Sequence, residues 1–522
     1  MKNAFWEKNW QIIFFNILAV TLFIFTYGHF GDVIVDSFRE AYIPSQMVKG
    51  EAIYKNIFTI YAPFSYLFNA LLFLIFGVHL KVLYFAGFLA SVGILNFTYL
   101  ISKKFLNKFY SLSVVLFVIS ACFLSYNVFN FIFPYSYGIL YGMFFVLASI
   151  YFMLEKKFPL AYLLYSFAIC SKYEFVLLLP VLLVASKNID IKKNIAAFFL
   201  PLVITFAALF GIQKVNILNL TNSFQITMTM LSAKTLYWFY SVMGLIFRPQ
   251  HIPIYFINFI KVAIPFGFMY FFRSWWIFLL TLIYFSFFLN YESIIYICPL
   301  ILILFGLNFK KLSVEKRLFV ISTLLISAKV FFAVTLFSYG IFFIPLCIIS
   351  LFIVIPKFLK KTLFLILLAA ALVFGVKNFA SLYNKNTPIS SDFGTIYTNQ
   401  NYGNSLNELI NYINKNTKKS DKVIVYPECL IANFMTDRTS DNKFYSLIPL
   451  YVETFGDELV IKRLEKVNPE YIIISNYETS NYYYYYFGQD YAGEIFSYII
   501  KNYKHVHTIH GKLSFIVYKK KN

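Results

Sequence analysis

Charge is what this sequence has least of. Asp, Glu, Lys and Arg make up only 13% of its 522 residues, against about a quarter in a soluble domain. The shortage is sharpest for acidic residues, of which only ten precede residue 381. Cysteine is scarce too: Cys122, Cys170, Cys298 and Cys347 stand in apolar runs and Cys429 stands alone in the tail. Their spacing resembles no metal site, and a single tail cysteine excludes a disulfide within the tail. A soluble class is excluded by the same numbers.

Apolar residues take up what charge leaves: 60% of the chain is hydrophobic and 21% aromatic. Apolar runs of about 15 to 20 residues recur from 11 to 380, the pattern of a polytopic membrane protein. The formal net charge is +21, but residues 381–522 hold 16 basic and 14 acidic residues, so +19 lies before them. That excess forms small clusters between apolar runs: Lys103, Lys104 and Lys108; Lys156 and Lys157; Lys187, Lys192 and Lys193; Lys310, Lys311, Lys316 and Arg317; Lys357, Lys360 and Lys361. Evenly spaced basic loops report cytoplasmic connections and not a nucleic-acid surface.

Lys2 and Lys8 before the first apolar run read as a signal-anchor that is retained. With the N-terminus inside, the first span is 11–27. The run 63–77 is short for a span, and crossing there would place Lys103, Lys104 and Lys108 outside, so it reads as an interfacial or re-entrant helix. Further spans fall at 81–102, 109–126, 138–154, 159–171, 174–186 and 195–212. After an outer loop to about Pro253 come 254–271, 275–290, 293–308, 318–336, 341–356 and 362–380. The expectation is an all-α membrane domain, 1–380, of about 13 spans with an outer loop at 28–62.

The composition then changes to that of a soluble domain. Leu406, Leu409, Ile410 and Ile413 have helical spacing, KVIVY (422–426) and YIIIS (471–475) have buried-strand length, and a helix is expected over 453–467. Strand alternating with helix predicts a small extracytoplasmic α/β domain at 381–522. The run Tyr482–Tyr486 predicts an aromatic surface near lipid or sugar. HVHTIH (505–510) would put His505 and His507 on one strand face, but with no acidic partner no metal is assigned.

Glu7, Glu155, Asp190 and Glu315 fall among inner basic loops, where solvated pairing explains them. Asp32, Asp36, Glu40, Glu51, Glu174 and Glu292 are all placed outside, four of them in the loop 28–62. A loop in water needs polar residues, which is the bland account. If the stretch is helical, however, Asp36 and Glu40 share a face at i, i+4 with Arg39 beside them. An ionised carboxylate at headgroup depth can accept a hydroxyl proton from a substrate with a lipid tail.

DSFRE (36–40), Gly50, YAPFSY (61–66) and LIFG (74–77) give the chain a resemblance to the GT-C membrane glycosyltransferases, among them the protein O-mannosyltransferases and the lipid A aminoarabinose transferases. The resemblance implies transfer of a hexose or pentose from a polyprenyl-phosphate donor to a hydroxyl of a lipid, glycan or protein acceptor, with inversion, at the outer face of the cytoplasmic membrane. It makes Asp36 the base. Relatives often carry an adjacent acidic pair, whereas Ser37 follows Asp36 here, so a second carboxylate falls to Glu40 or Asp32. The leaving lipid phosphate needs cations already in place. Arg39, Lys172 and Arg248 are the outer candidates, with Lys261 and Lys329 inside expected spans, where a charge marks a cavity. No cofactor is implied, although some distant relatives use a divalent metal.

The rival class is a secondary transporter or lipid flippase, which tends to show repeated halves and broken helices around a midplane site. No repeat is visible here, and the acids gather at one face. The basic cluster at 357–361 before the last span and the near-neutral tail after it place that tail outside. A reporter active only in the cytoplasm, fused after Asn522, is expected to stay silent; an active fusion inverts the topology.

Overall fold

The structure is a computed structural model that describes residues 2–187, 191–242, 246, 248–271, 276–288, 296–331 and 336–521. Asp190 and Glu292 lie outside the described residues. Helix dominates, with six short strands at the C-terminal end, so the all-α body followed by a small α/β domain is the fold class observed. Among the described residues, four helices are long and apolar enough to cross a bilayer: Leu80–Phe105, Tyr137–Leu154, Lys192–Ile212 and Lys357–Tyr383. Shorter apolar helices include Trp10–Thr26, Lys108–Phe123, Phe158–Ser171 and Tyr339–Val354. Phe64–Phe76 has only 13 residues, about 20 Å of helix, short of the roughly 30 Å hydrocarbon core.

Two compact units form, and neither is one stretch of chain. The first holds Met1–Tyr27, Phe85–Thr205 and Met243–Tyr383; the second holds Gly28–Tyr84, Phe206–Val242 and Asn384–Asn522. The composition changes at residue 381, yet in space the tail is joined by two earlier segments.

In the first unit, apolar helices pack closely enough to need small residues. A Cβ on Gly87 would sit 1.9 Å from the carbonyl oxygen of Ile132, so only glycine lets residues 131–133 lie against the helix Leu80–Phe105. Ser91 completes that approach by donating to Phe131 and to Gly87. The α-helix Val314–Ser327 ends before Lys329, which lies in the 3-10 turn Ala328–Val330.

In the second unit, strands β1 (Thr387–Ser391) and β2 (Gly394–Thr398) form a hairpin. A separate sheet contains β3 (Val423–Tyr426), β4 (Tyr471–Ser475), β5 (Tyr503–Ile509) and β6 (Phe515–Lys520) in the order β3-β4-β6-β5. Only β3 and β4 are parallel. Both are fully buried, as unbroken apolar runs require. Leu406, Leu409, Ile410 and Ile413 are the buried face of the helix Gln400–Asn416, as their spacing predicts. The helix expected over 453–467 is two, Pro449–Phe455 and Asp457–Val467, broken at Gly456 with φ 75. A bulge between His505 and His507 breaks the alternation expected there; His507 stacks on Tyr412 instead.

The region read as an outer loop to Pro253 carries the helices Ile217–Leu231 and Lys234–Val242. Asn216 and Asn219 form a reciprocal capping box at the start of the first. The second is capped from far along the chain: Glu453 accepts from the backbone of Lys234 at 2.6 Å and of Thr235 at 2.8 Å, and from the Thr235 hydroxyl. Partial burial raises the Glu453 pKa, but those bonds outweigh it and hold the carboxyl below its usual range. A depressed carboxylate stabilises above its unfolded pKa and loses that contribution as pH falls through the folded one. Glu453→Ala is expected to remove ~1 kcal/mol of local stability, seen as faster amide exchange over residues 234–242 at neutral pH. The native and substituted chains should converge only in acid, once pH has fallen below the ordinary carboxylate range and through the depressed folded pKa. Equal exchange at neutral pH would show that the cap does not hold the helix.

Candidate active site

The stretch that reads as a dense acidic loop folds as a turn and a helix within the second unit. Asp32 builds the turn: its Oδ1 accepts from the backbone of Ile34 at 2.7 Å and of Val35 at 2.9 Å. Ser37 accepts from the Asp32 backbone at 3.0 Å, which fixes where the helix begins. That helix is Asp36–Val48, and Asp36 in its first turn meets the positive end of the helix dipole. Asp36 and Glu40 share a face as their spacing predicts. Arg39 donates to Asp36 at 2.6 Å and lies 3.5 Å from Glu40.

These three groups differ in access. Glu40 is fully buried and accepts from the Tyr66 hydroxyl at 2.9 Å. The Arg39 guanidinium is also buried and lies 4.5 Å from the centre of the Tyr61 ring. Burial alone lowers its pKa, but Tyr61, Asp36, Tyr66 and Glu40 hold it well above the ordinary value. Burial pushes the Tyr61 phenol up to about 12, opposed by Arg39. Asp36 alone of the two helical carboxylates keeps partial exposure.

The tail contributes to this neighbourhood. Tyr42, one turn beyond Arg39, donates to Asn442 at 2.7 Å and accepts from the Ser440 backbone at 2.8 Å. The adjacent Asp441 is fully buried and gripped by Arg463 through two nitrogens at 3.0 and 3.1 Å. Glu428, just past the carboxyl end of β3, accepts from Ser446 at 2.6 Å through Oε1. Its Oε2 is enclosed without a hydrogen-bond partner among the described residues. Burial pushes Glu428 up to about 8; Asp36 and Asp32 add to the rise, and Ser446 and Arg39 oppose it. Lys385 is driven down to about 8 by burial, against the pull of Asp32. Sequence reasoning missed both groups, since nothing local in PEC or NKN distinguishes them from solvated tail residues.

The first unit holds a cluster of its own. Lys172, extended at the end of the helix Phe158–Ser171, donates to the Tyr135 hydroxyl at 2.6 Å. Its ammonium stands 5.2 and 5.1 Å from the ring centres of Tyr135 and Tyr339. Glu174, two residues on, accepts from Lys329 at 3.0 Å and from the Tyr339 hydroxyl. Lys172 and Lys329, separate in sequence, are thus brought to one carboxylate and one tyrosine. Lys261 is exposed in the middle of the helix Ile252–Phe271, and its ammonium makes no ion pair or hydrogen bond among the described residues. Arg248 is the extended residue before the turn Pro249–His251. No group of three or more His, Cys, Asp or Glu that could hold a metal ion occurs among the described residues.

No family model and no curated protein matches this sequence. Solved structures do match it. ArnT from Cupriavidus metallidurans, bound to undecaprenyl phosphate, superposes with a TM-score of 0.52 at 10% identity, over 98% of each chain. The archaeal oligosaccharyltransferase AglB from Archaeoglobus fulgidus, in complex with an inhibitory peptide and a dolichol-phosphate, gives 0.51 at 10% identity, over 99% of this chain and 75% of its own. The apo form of the A. fulgidus oligosaccharyltransferase gives 0.51 at 12% identity, over 92% of this chain and 71% of its own. Both are GT-C glycosyltransferases. At such low identity the likeness is one of fold, and the fold of this multi-pass membrane chain is the GT-C fold implied by its sequence.

Proposed function

We propose that the protein transfers a sugar from a polyprenyl-phosphate donor to an acceptor hydroxyl at the outer face of the cytoplasmic membrane, with inversion. The observation that carries this reading is the trio Asp36, Arg39 and Glu40, in which one carboxylate is kept accessible while its neighbours are buried. The matching fold of proteins solved with undecaprenyl phosphate and dolichol-phosphate supports the class of donor.

In the proposed step the acceptor oxygen attacks the anomeric carbon opposite the lipid phosphate. Its proton passes to Asp36, and the bond to the phosphate breaks with the electron pair leaving on the phosphate oxygen. Formal charge assigns the remaining roles. Asp36, Glu40 and Arg39 sum to −1, a poor setting for a phosphate, so Arg39 is a positioning residue that aims Asp36. Lys172, Glu174 and Lys329, all within the first unit, sum to +1, with Tyr135 and Tyr339 as added donors, a setting suited to an anion. Each step uses only this chain's side chains; a metal requirement would show as loss of turnover with EDTA.

Turnover of a panel of undecaprenyl-phosphate sugars tests these roles. Asp36→Asn, which keeps size and removes the proton acceptor, should lower turnover roughly 100-fold or more without loss of folded protein. Arg39→Lys should lose activity despite its charge, because an ammonium cannot reproduce the planar contacts with Asp36 and Tyr61. Lys172→Ala and Lys329→Ala should raise the KM for donor. Near-normal turnover in Asp36→Asn passes the base role to Asp32 or Glu40; an unchanged donor KM in both lysine variants moves the phosphate to Arg248 or Lys261.

Glu428 predicts the alkaline limb of the pH profile. It is neutral below about 8, and above that it adds a negative charge that competes with Asp36 for Arg39. Activity should therefore fall as pH rises through this range, and Glu428→Gln should flatten the fall. An identical alkaline limb in the two proteins would remove Glu428 from the site.

A further inference from the structure

The helix Ile217–Leu231 carries no charged residue of either sign, and the stretch from Val215 to Ala233 carries none. Exposed helices of soluble surfaces are rarely so bare of charge. Its side chains sort onto three faces. Ser223 and Met230 are buried, and Met230 packs with Phe58, Ala233, Leu236, Ile448 and Tyr451 of the same unit. Asn222, Gln225 and Thr229 form an exposed polar strip that begins beyond the exposed Leu218 of the first turn, and Thr221 stands exposed between this strip and the next. Ile217, Phe224, Met228 and Leu231, at i, i+7, i+11 and i+14, form an exposed apolar strip, with 73%, 65%, 50% and 57% of their surfaces open.

A helix buried on one side needs only one apolar face. A second apolar strip bordered by an uncharged polar one is the cross-section of a helix lying at an oil–water boundary. The chain reaches this helix directly from the bilayer-length helix Lys192–Ile212. Val215 donates back to the carbonyl of Leu209 at 3.0 Å, and the five steps of chain from 212 to 217 span at most about 17 Å even if extended. The apolar strip therefore starts within about 17 Å of the end of that helix. Lys214 and Lys234, both exposed, stand just outside the two ends and can meet lipid phosphates.

We propose that the Ile217–Leu231 helix is a lipid-docking element, its Ile217, Phe224, Met228 and Leu231 strip sunk in the headgroup–acyl boundary and its Asn222, Gln225 and Thr229 strip in water. The partner is a lipid surface. The inference stands on the exposure pattern and does not depend on sugar transfer.

Spin labels on the full chain test it, since the native cysteines are buried among the described residues. Phe224→Cys and Met228→Cys, with Asn222→Cys and Thr229→Cys for contrast, would be labelled in vesicles of phosphatidylethanolamine with phosphatidylglycerol as minor component. At 224 and 228, dissolved oxygen should collide more often than a water-soluble nickel chelate; at 222 and 229 the order should reverse. Nickel access at 224 and 228 equal to that at 222 overturns the proposal. Dipolar broadening between labels at 224 also overturns it, because a second copy of the chain would then cover the strip.

Discussion

A guanidinium buried in protein must be met by fixed anions, and Arg39 is met by two. Without Asp36 and Glu40 the cost of desolvating it would be several kcal/mol. With them the charge is retained, the first turn of the helix is cross-braced, and Tyr61 is drawn over the guanidinium. The constraint also runs outward. A buried arginine held between two carboxylates leaves one of them, Asp36, oriented and partly open to solvent, which is the condition a base needs.

The two units gather charge of different net sign. The cluster in the second unit is anionic in sum and includes the nearly neutral Glu428, whereas the cluster in the first unit is cationic in sum. Each is internally paired, so neither pays the penalty of an isolated charge in a poorly hydrated setting. Tyrosine does much of this work: Tyr61, Tyr66, Tyr135 and Tyr339 each place a ring or hydroxyl against a charged group.

What was legible in the sequence was local. The i, i+4 relation of Asp36 and Glu40 with Arg39 between them follows from helical geometry once a helix is assumed, and the buried strands KVIVY and YIIIS follow from their apolar runs. Lys172 and Lys329 could be suspected one at a time as cations near membrane segments. That they share Glu174 and Tyr339 depends on packing over about 155 residues, which no spacing rule reaches. Glu428 was hidden because its environment is made by Ser446 and by a loop at the far end of the chain. The helix Ile217–Leu231 escaped notice because an uncharged segment with three faces has no single apolar period, and the turn at Lys329 because a 3-10 turn and an α-helix are equally apolar.

The hydroxyl of Tyr42 binds Asn442, 400 residues away in the chain. A ribosome adding about 5–20 residues per second delivers that partner roughly 20–80 s after Tyr42 itself. Until then the helix bearing Asp36 has its own sequence but not the tail that holds it, and any message that ends before residue 442 yields a chain with Asp36 present and its mounting missing. The contact is thus a check on length: only a chain translated past Asn442 can close it.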